Sequence, residues 1–211
     1  MKKSSSPSTA LIRKTSSHKI VLNVKGKKLN SHSTKESYLI GCRVPKDFFI
    51  TKGSGESDIT VHAGSYHLAL RQAGIEMCNI MTYSSILPGI ANIIERPAKL
   101  THGSVMETIM ATSTAEKGKR ATAAIIFGWL YDKKTGKKYG GLVCEYNGPL
   151  TEKDASAQLK ESLNELYTNG YSDDYDMKDI TLNSESMVPV KKYGTVLVSL
   201  CFTNYLIPII K

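Results

Sequence analysis

The sequence predicts an α+β fold in which two packed, mainly antiparallel sheets carry helices on their outer faces, an αββα sandwich. Three observations predict it. Short extended apolar runs outnumber the helical stretches, only two segments show helical spacing, and the order is strand, helix, several strands, helix, strands. That order differs from the regular strand–helix alternation that winds a parallel sheet, and no internal repeat is visible.

Taken in order, Phe48, Phe49 and Ile50 read as a strand that stops at Lys52 and Gly53, and residues 53–58, Gly-Ser-Gly-Glu-Ser-Asp, read as a loop. A helix is expected over about residues 61–73, with Tyr66, Leu68, Ala69, Leu70 and Ala73 on its apolar face and Gly74 as its C-cap. Residues 77–83 look extended, and the run breaks at Ser84 and Ser85, with Pro88 and Gly89 close behind. Further strands are expected at 105–111, 122–131 and 141–146, the last two joined as a hairpin through the turn at 133–136. A second helix, capped by Thr151 and carrying Ala155, Leu159, Leu163 and Leu166 at helical spacing, ends near Gly170. Strands near 180–190 and 195–206 close the chain.

A length of 211 residues suits one domain, here 38–211, and a tail, 1–37. The formal charge of +9 is concentrated in that tail, which holds nine Lys or Arg and one acid, Glu36, against nineteen basic and eighteen acidic side chains in the rest. A nearly neutral body speaks against a nucleic-acid partner, because a footprint for phosphate needs basic residues clustered on a folded face. The Ser- and Lys-rich tail buries too little to offset its ordering entropy and is expected to be disordered. Its short apolar run at 20–24 would suit an edge strand or a neighbouring subunit. The tail lacks the long apolar core of a secretory signal. Cys42, Cys78, Cys144 and Cys201 form no Cys-x-x-Cys pair and read as small hydrophobes in a reducing compartment. No apolar run is long enough to span a bilayer. A cytoplasmic protein without a membrane or nucleic-acid partner is the expectation.

The segment from Asn79 to Pro88, Asn-Ile-Met-Thr-Tyr-Ser-Ser-Ile-Leu-Pro, is the most informative. By its residues alone it is compatible with an ordinary turn. It resembles the self-processing site of the pyruvoyl-dependent arginine decarboxylases: a strand ending in Ser-Ser, then an aliphatic pair and Pro, with Asn six residues before the second Ser. The resemblance implies cleavage between Ser84 and Ser85 into 1–84 and 85–211. Ser85 attacks the preceding carbonyl and becomes a pyruvoyl group, so that neither PLP nor a metal is required. Attack within a constrained turn has the entropic advantage of an intramolecular reaction, and the Asn79 amide is expected to donate to the charge that develops on the Ser84 carbonyl.

A second match is Gly140-Gly141-Leu142-Val143-Cys144-Glu145-Tyr146. There the resemblance makes Glu145 the proton donor that the carbanion left by loss of carbon dioxide requires. Period-two alternation with Leu142 and Cys144 is equally compatible with a glutamate facing solvent. The resemblance covers roughly 44–206, with further support at residues 53–57, 73–75 and 102–105, and implies L-arginine as substrate, agmatine as product, and a homo-oligomer, a trimer or dimer of trimers, with active sites between neighbours. One position departs from it: His67 stands where an aspartate is expected to receive the guanidinium. Ser84, His67, Asp58 and Glu56 remain substrate-binding candidates, and decarboxylation of another amino acid, or an unprocessed ligand-binding or scaffold homologue, remains an alternative.

Other chemistries fit less well. Gly53-Ser54-Gly55 lacks the Gly-Lys-Ser/Thr of a P-loop and is followed by acids that repel phosphate. His62, His67 and His102 lack the spacing of a metal set, and no nucleophile elbow of a Ser–His hydrolase is present.

Overall fold

Residues 121–130 are buried without interruption, which happens when a strand is covered on both faces. The computed structural model describes residues 41–208; the tail expected at 1–37, with its apolar run at 20–24, lies outside the described residues. The main unit of the chain is Arg43–Leu206. Its elements are β1 (Val44–Pro45), β2 (Asp47–Ser57), a π-helical segment (Val61–Tyr66) continuing as α1 (His67–Ala73), β3 (Asn79–Thr82), β4 (Ile86–Pro88), β5 (Asn92–Ile93) and β6 (Val105–Glu116). Then follow β7 (Ala121–Asp132), β8 (Lys138–Gly148), α2 (Glu152–Gly170), β9 (Tyr175–Met187), β10 (Tyr193–Phe202) and β11 (Tyr205–Leu206).

One sheet has the order β3-β6-β10-β2-β5 and the other β4-β8-β7-β9, with β1 and β11 forming a short separate pair. Pairing is antiparallel except for β3 with β6 and β2 with β5. Between the sheets lie Phe48, Phe127, Trp129 and Phe202, their rings 5.6–6.4 Å apart in edge-on and tilted contacts. Strand β7 alternates: Ala123, Ile125, Phe127 and Trp129 enter this inter-sheet core, whereas Ala124, Ile126 and Leu130 meet Leu159 and Leu163 of α2. On the far side, Ala69, Leu70 and Ala73 of α1 pack against Phe49, Leu197 and Cys201. The αββα sandwich expected from the sequence is the fold observed.

The expected 61–73 helix is present, its first turn π-helical, and it ends at Gly74 in the left-handed conformation, φ 72°. Thr151 caps α2, its Oγ1 accepting from the Asp154 backbone N–H at 3.2 Å. Leu68 and Leu166, placed on apolar faces from their spacing, are instead 38% and 40% exposed. Strands β4 and β5 are too short to leave a sequence pattern.

The main correction concerns residues 53–58. Strand β2 does not stop at Gly53 but continues to Ser57, paired with β10 throughout. The glycines serve close approach rather than a turn: a Cβ on Gly53 would lie 2.2 Å from Ala69 O and 2.8 Å from Ala73 N, and one on Gly55 2.5 Å from Ser65 O. Only a bare backbone lets α1 sit this near the strand. Gly53→Ala must therefore push helix and strand apart, and a loss of about 1–3 kcal/mol is expected, measured as a lower thermal midpoint with the far-UV spectrum unchanged.

Candidate active site

The site starts from a change of sheet. Strand β3 belongs to the five-stranded sheet and β4 to the four-stranded one, and between them stand only Tyr83, Ser84 and Ser85. Tyr83 extends the β3–β6 pairing, its N–H donating to Thr108 O at 2.7 Å. Ser85 extends the β4–β8 pairing from the other side, its carbonyl accepting from Val143 N–H at 3.2 Å. The Ser84–Ser85 bond is thus held at both ends by ladders of different sheets. Inside this crossing the Ile86 N–H donates to Ser84 O at 3.0 Å, closing a three-residue turn centred on Ser85.

The β8 register supplies the partner. Ile86 pairs with Leu142, so Ser85 stands opposite Val143, and Glu145 is the diagonal neighbour two residues on. The Ser85 hydroxyl lies 2.8 Å from Glu145 Oε1 and 2.7 Å from Oε2, donating to the carboxylate. Alternation along β8 sends Leu142, Cys144 and Tyr146 toward α2 and puts Val143 in the inter-sheet core, which leaves Glu145 on the inner side. Glu145 is only partly buried, and its carboxylate meets Ser85 at a cleft between the sheets rather than standing on the face that α2 covers. Burial and the Glu145 charge both hold the neighbouring Cys144 thiol above its ordinary pKa, so it stays protonated. A cleft of about 450 Å³ opens here, lined by Thr82, Tyr83, Ser85, Thr112, Glu145 and Asn147.

Two features escaped the sequence. The first is the Ile86 N–H, a backbone donor already on the Ser84 carbonyl, which no side-chain motif advertises. The second is a buried anchor: Glu107, 2% exposed, accepts from the Tyr83 hydroxyl and pairs with Arg43, and the Arg43 guanidinium lies over the Tyr205 ring. It fixes the residue that precedes Ser84. A lone acid inside the apolar run of β6 was its only signal.

The other candidates lie elsewhere in the chain. Asn79 begins β3, and its amide donates to Gly103 O at 2.9 Å, not to Ser84. His67 is the exposed first residue of α1. Asp58 and Glu56 accept from the Lys192 and Val190 backbone N–H groups at 3.1 and 2.6 Å, tying down the segment between β9 and β10. The structure joins Ser84, Ser85 and Glu145 and leaves Asn79, His67 and Asp58 outside their cleft. Among the described residues no group of three or more His, Cys, Asp or Glu is placed to hold a metal ion, and no helix is long and apolar enough to cross a membrane.

Comparison with known proteins assigns the chain to the carboxy-lyases: residues 47–206 match the family model described as pyruvoyl-dependent arginine decarboxylase. The chain belongs to the pyruvoyl-dependent arginine decarboxylase family. It is 32% identical over 192 residues, 78% of this chain and 94% of the relative, to the pyruvoyl-dependent arginine decarboxylase AaxB of Chlamydia abortus. The protein of the same name from Chlamydia pneumoniae is 33% identical over 193 residues, with the same shares covered. Pyruvoyl-dependent arginine decarboxylase 1 of Archaeoglobus fulgidus is 34% identical over 123 residues, 56% of this chain and 74% of the relative.

Proposed function

We propose that this chain cleaves itself between Ser84 and Ser85, converts Ser85 into a pyruvoyl group, and decarboxylates L-arginine to agmatine and carbon dioxide. The observation that carries this reading is the Ser85 hydroxyl, held by Glu145 beside a carbonyl that already accepts from the Ile86 N–H.

In the first step Ser85 Oγ forms a bond to the Ser84 carbonyl carbon while the peptide C–N bond breaks, leaving an ester and a free Ser85 amine. Negative charge on the former Ser84 carbonyl oxygen is met by the Ile86 N–H, a donor placed before the reaction begins. Loss of the Ser85 Cα proton with expulsion of the Ser84 carboxylate then gives dehydroalanine, and water replaces its nitrogen as ammonia. The residues present fit the product, since position 85 opens onto the cleft and Glu145 stays within reach of it. The pyruvoyl group supplies the electrophilic carbonyl that draws electrons from the substrate as carbon dioxide leaves. Glu145 delivers a proton to the substrate carbon that has lost carbon dioxide.

The same reading makes the enzyme a cytoplasmic homo-oligomer, a trimer or dimer of trimers of processed subunits. Purified protein with no added PLP or metal is expected to release agmatine from arginine. Carbon dioxide from a different amino acid alone would replace the substrate, and none from any amino acid would overturn the enzymatic reading in favour of a ligand-binding homologue.

A further inference from the structure

Strand β6 carries a charge where its pattern calls for an apolar side chain. Ile109 and Ala111 face the inter-sheet core, and Glu107, on the same face, is buried. Burying a carboxylate is costly, and a buried ion pair is often no more stabilising than apolar residues of similar volume. Glu107 Oε2 accepts from Arg43 Nε at 3.2 Å and from the Tyr83 hydroxyl, and the Arg43 guanidinium lies 5.6 Å from the centre of the Tyr205 ring. Stability alone does not account for an acid here, and no step of the cleavage chemistry uses it.

We propose that Glu107 is a positioning residue for self-cleavage: through the Tyr83 hydroxyl it holds the acyl side of the Ser84–Ser85 bond, keeping the Ser84 carbonyl carbon beside Ser85 Oγ. The proposal rests on the self-cleaving reading and adds the residue that readies the bond. In the step concerned, Ser85 Oγ bonds to that carbon, the C–N bond breaks, and the hydroxyl proton ends on the freed amine. The Glu107 carboxylate bonds Tyr83 and Arg43 rather than the reacting atoms, so it acts through Tyr83.

Tyr83 is the last residue that the five-stranded sheet holds before the crossing, its N–H on Thr108 O. Ser84 is exposed, and the ladder resumes only at Ser85, on the other sheet. The N–H bond fixes where Tyr83 sits. The hydroxyl bond, at the far end of a rigid side chain, fixes its rotation and with it the direction in which the chain leaves for Ser84. Met81 pairs with Glu107 in the parallel β3–β6 register, so Tyr83, two residues on and on the same face, reaches the carboxylate diagonally. The outer end of the clamp is fixed in turn: Arg43 immediately precedes β1, whose partner β11 begins at Tyr205. An intramolecular attack can lose about 10²-fold in rate when its partners are displaced by about 1 Å, so a clamp this close to the bond governs how fast it breaks.

The test follows cleavage of freshly made full-length protein by intact mass. Tyr83→Phe removes the hydroxyl and keeps the ring against Phe202, their centroids 5.7 Å apart, and is expected to cleave about 10- to 100-fold more slowly than wild type. Glu107→Leu leaves Arg43, its side chain 54% exposed, to water and should slow cleavage as much. The double variant should be no slower than either alone, because both changes break one bond. Glu107→Gln retains an acceptor for the phenol and should recover part of the rate. Hydroxylamine, which cuts esters and leaves amides, should not restore Tyr83→Phe, because the clamp acts before the ester forms. Thermal midpoints of the same substitutions on a Ser85→Ala background, where no chain is cut, check that the fold persists at the assay temperature, and Tyr83→Phe decides alone if Glu107→Leu does not fold. Wild-type cleavage in Tyr83→Phe, additive slowing in the double variant, or full recovery with hydroxylamine would overturn the role of Glu107 and leave the self-cleaving reading intact. A wild type that never cleaves would overturn both.

Discussion

Ser85→Ala is expected to leave a chain of 211 residues and to abolish decarboxylation, because it removes the nucleophile and the precursor of the cofactor in one change. Nothing nearby replaces it. Ser84 carries a hydroxyl, but the carbonyl before it belongs to Tyr83, whose backbone N–H is bound to Thr108 O and whose side chain is held by Glu107. The Ser85 peptide is different, since its carbonyl partner sits inside the three-residue turn closed by Ile86. Ser85→Cys keeps a nucleophile in the same place and is expected to cleave in part. The fold should survive Ser85→Ala, because the lost hydroxyl bonds only Glu145 and the Val143 ladder bond uses the Ser85 carbonyl. Unchanged thermal unfolding beside zero activity is the expected pair of results.

Glu145→Gln is expected to separate maturation from turnover. The amide oxygen of glutamine still accepts from the Ser85 hydroxyl, so that hydroxyl keeps its position and cleavage continues. Glutamine cannot deliver a proton, and kcat is expected to fall by about 10²- to 10⁴-fold, the usual worth of a positioned acid. KM should change little, because proton delivery follows binding. Wild-type kcat in Glu145→Gln would remove Glu145 from proton transfer. Failure of that variant to cleave would instead make the carboxylate the base that activates Ser85.

Much of this was legible in the sequence, for reasons that particular residues make plain. Phe48 and Phe49, the 122–131 run and the Thr151 cap announce their elements through apolar run, length and local hydrogen bonding, and the structure has them where the patterns fall. Gly53 and Gly55 misled because glycine signals a turn and close packing with the same letter; only the position of α1 tells the two apart. Glu145 was ambiguous for a similar reason: alternation gives the face of a strand but not what covers that face. The Ile86 N–H on the Ser84 carbonyl and the Tyr83–Glu107–Arg43 anchor depend on how the chain is held in three dimensions, and no spacing rule reaches them. The one motif that carried chemistry, Ser84-Ser85 with Glu145, joins residues sixty positions apart through the β4–β8 register, which a resemblance conveys and local pattern does not.

The central claim is that this chain makes its own cofactor, and intact mass spectrometry of freshly purified, denatured protein beside Ser85→Ala tests it most directly. The expected result is two polypeptides, residues 1–84 and 85–211, the second lighter by one ammonia than simple hydrolysis would leave it, with Ser85→Ala running as one chain. A wild type recovered as one intact chain, indistinguishable from Ser85→Ala, would contradict it.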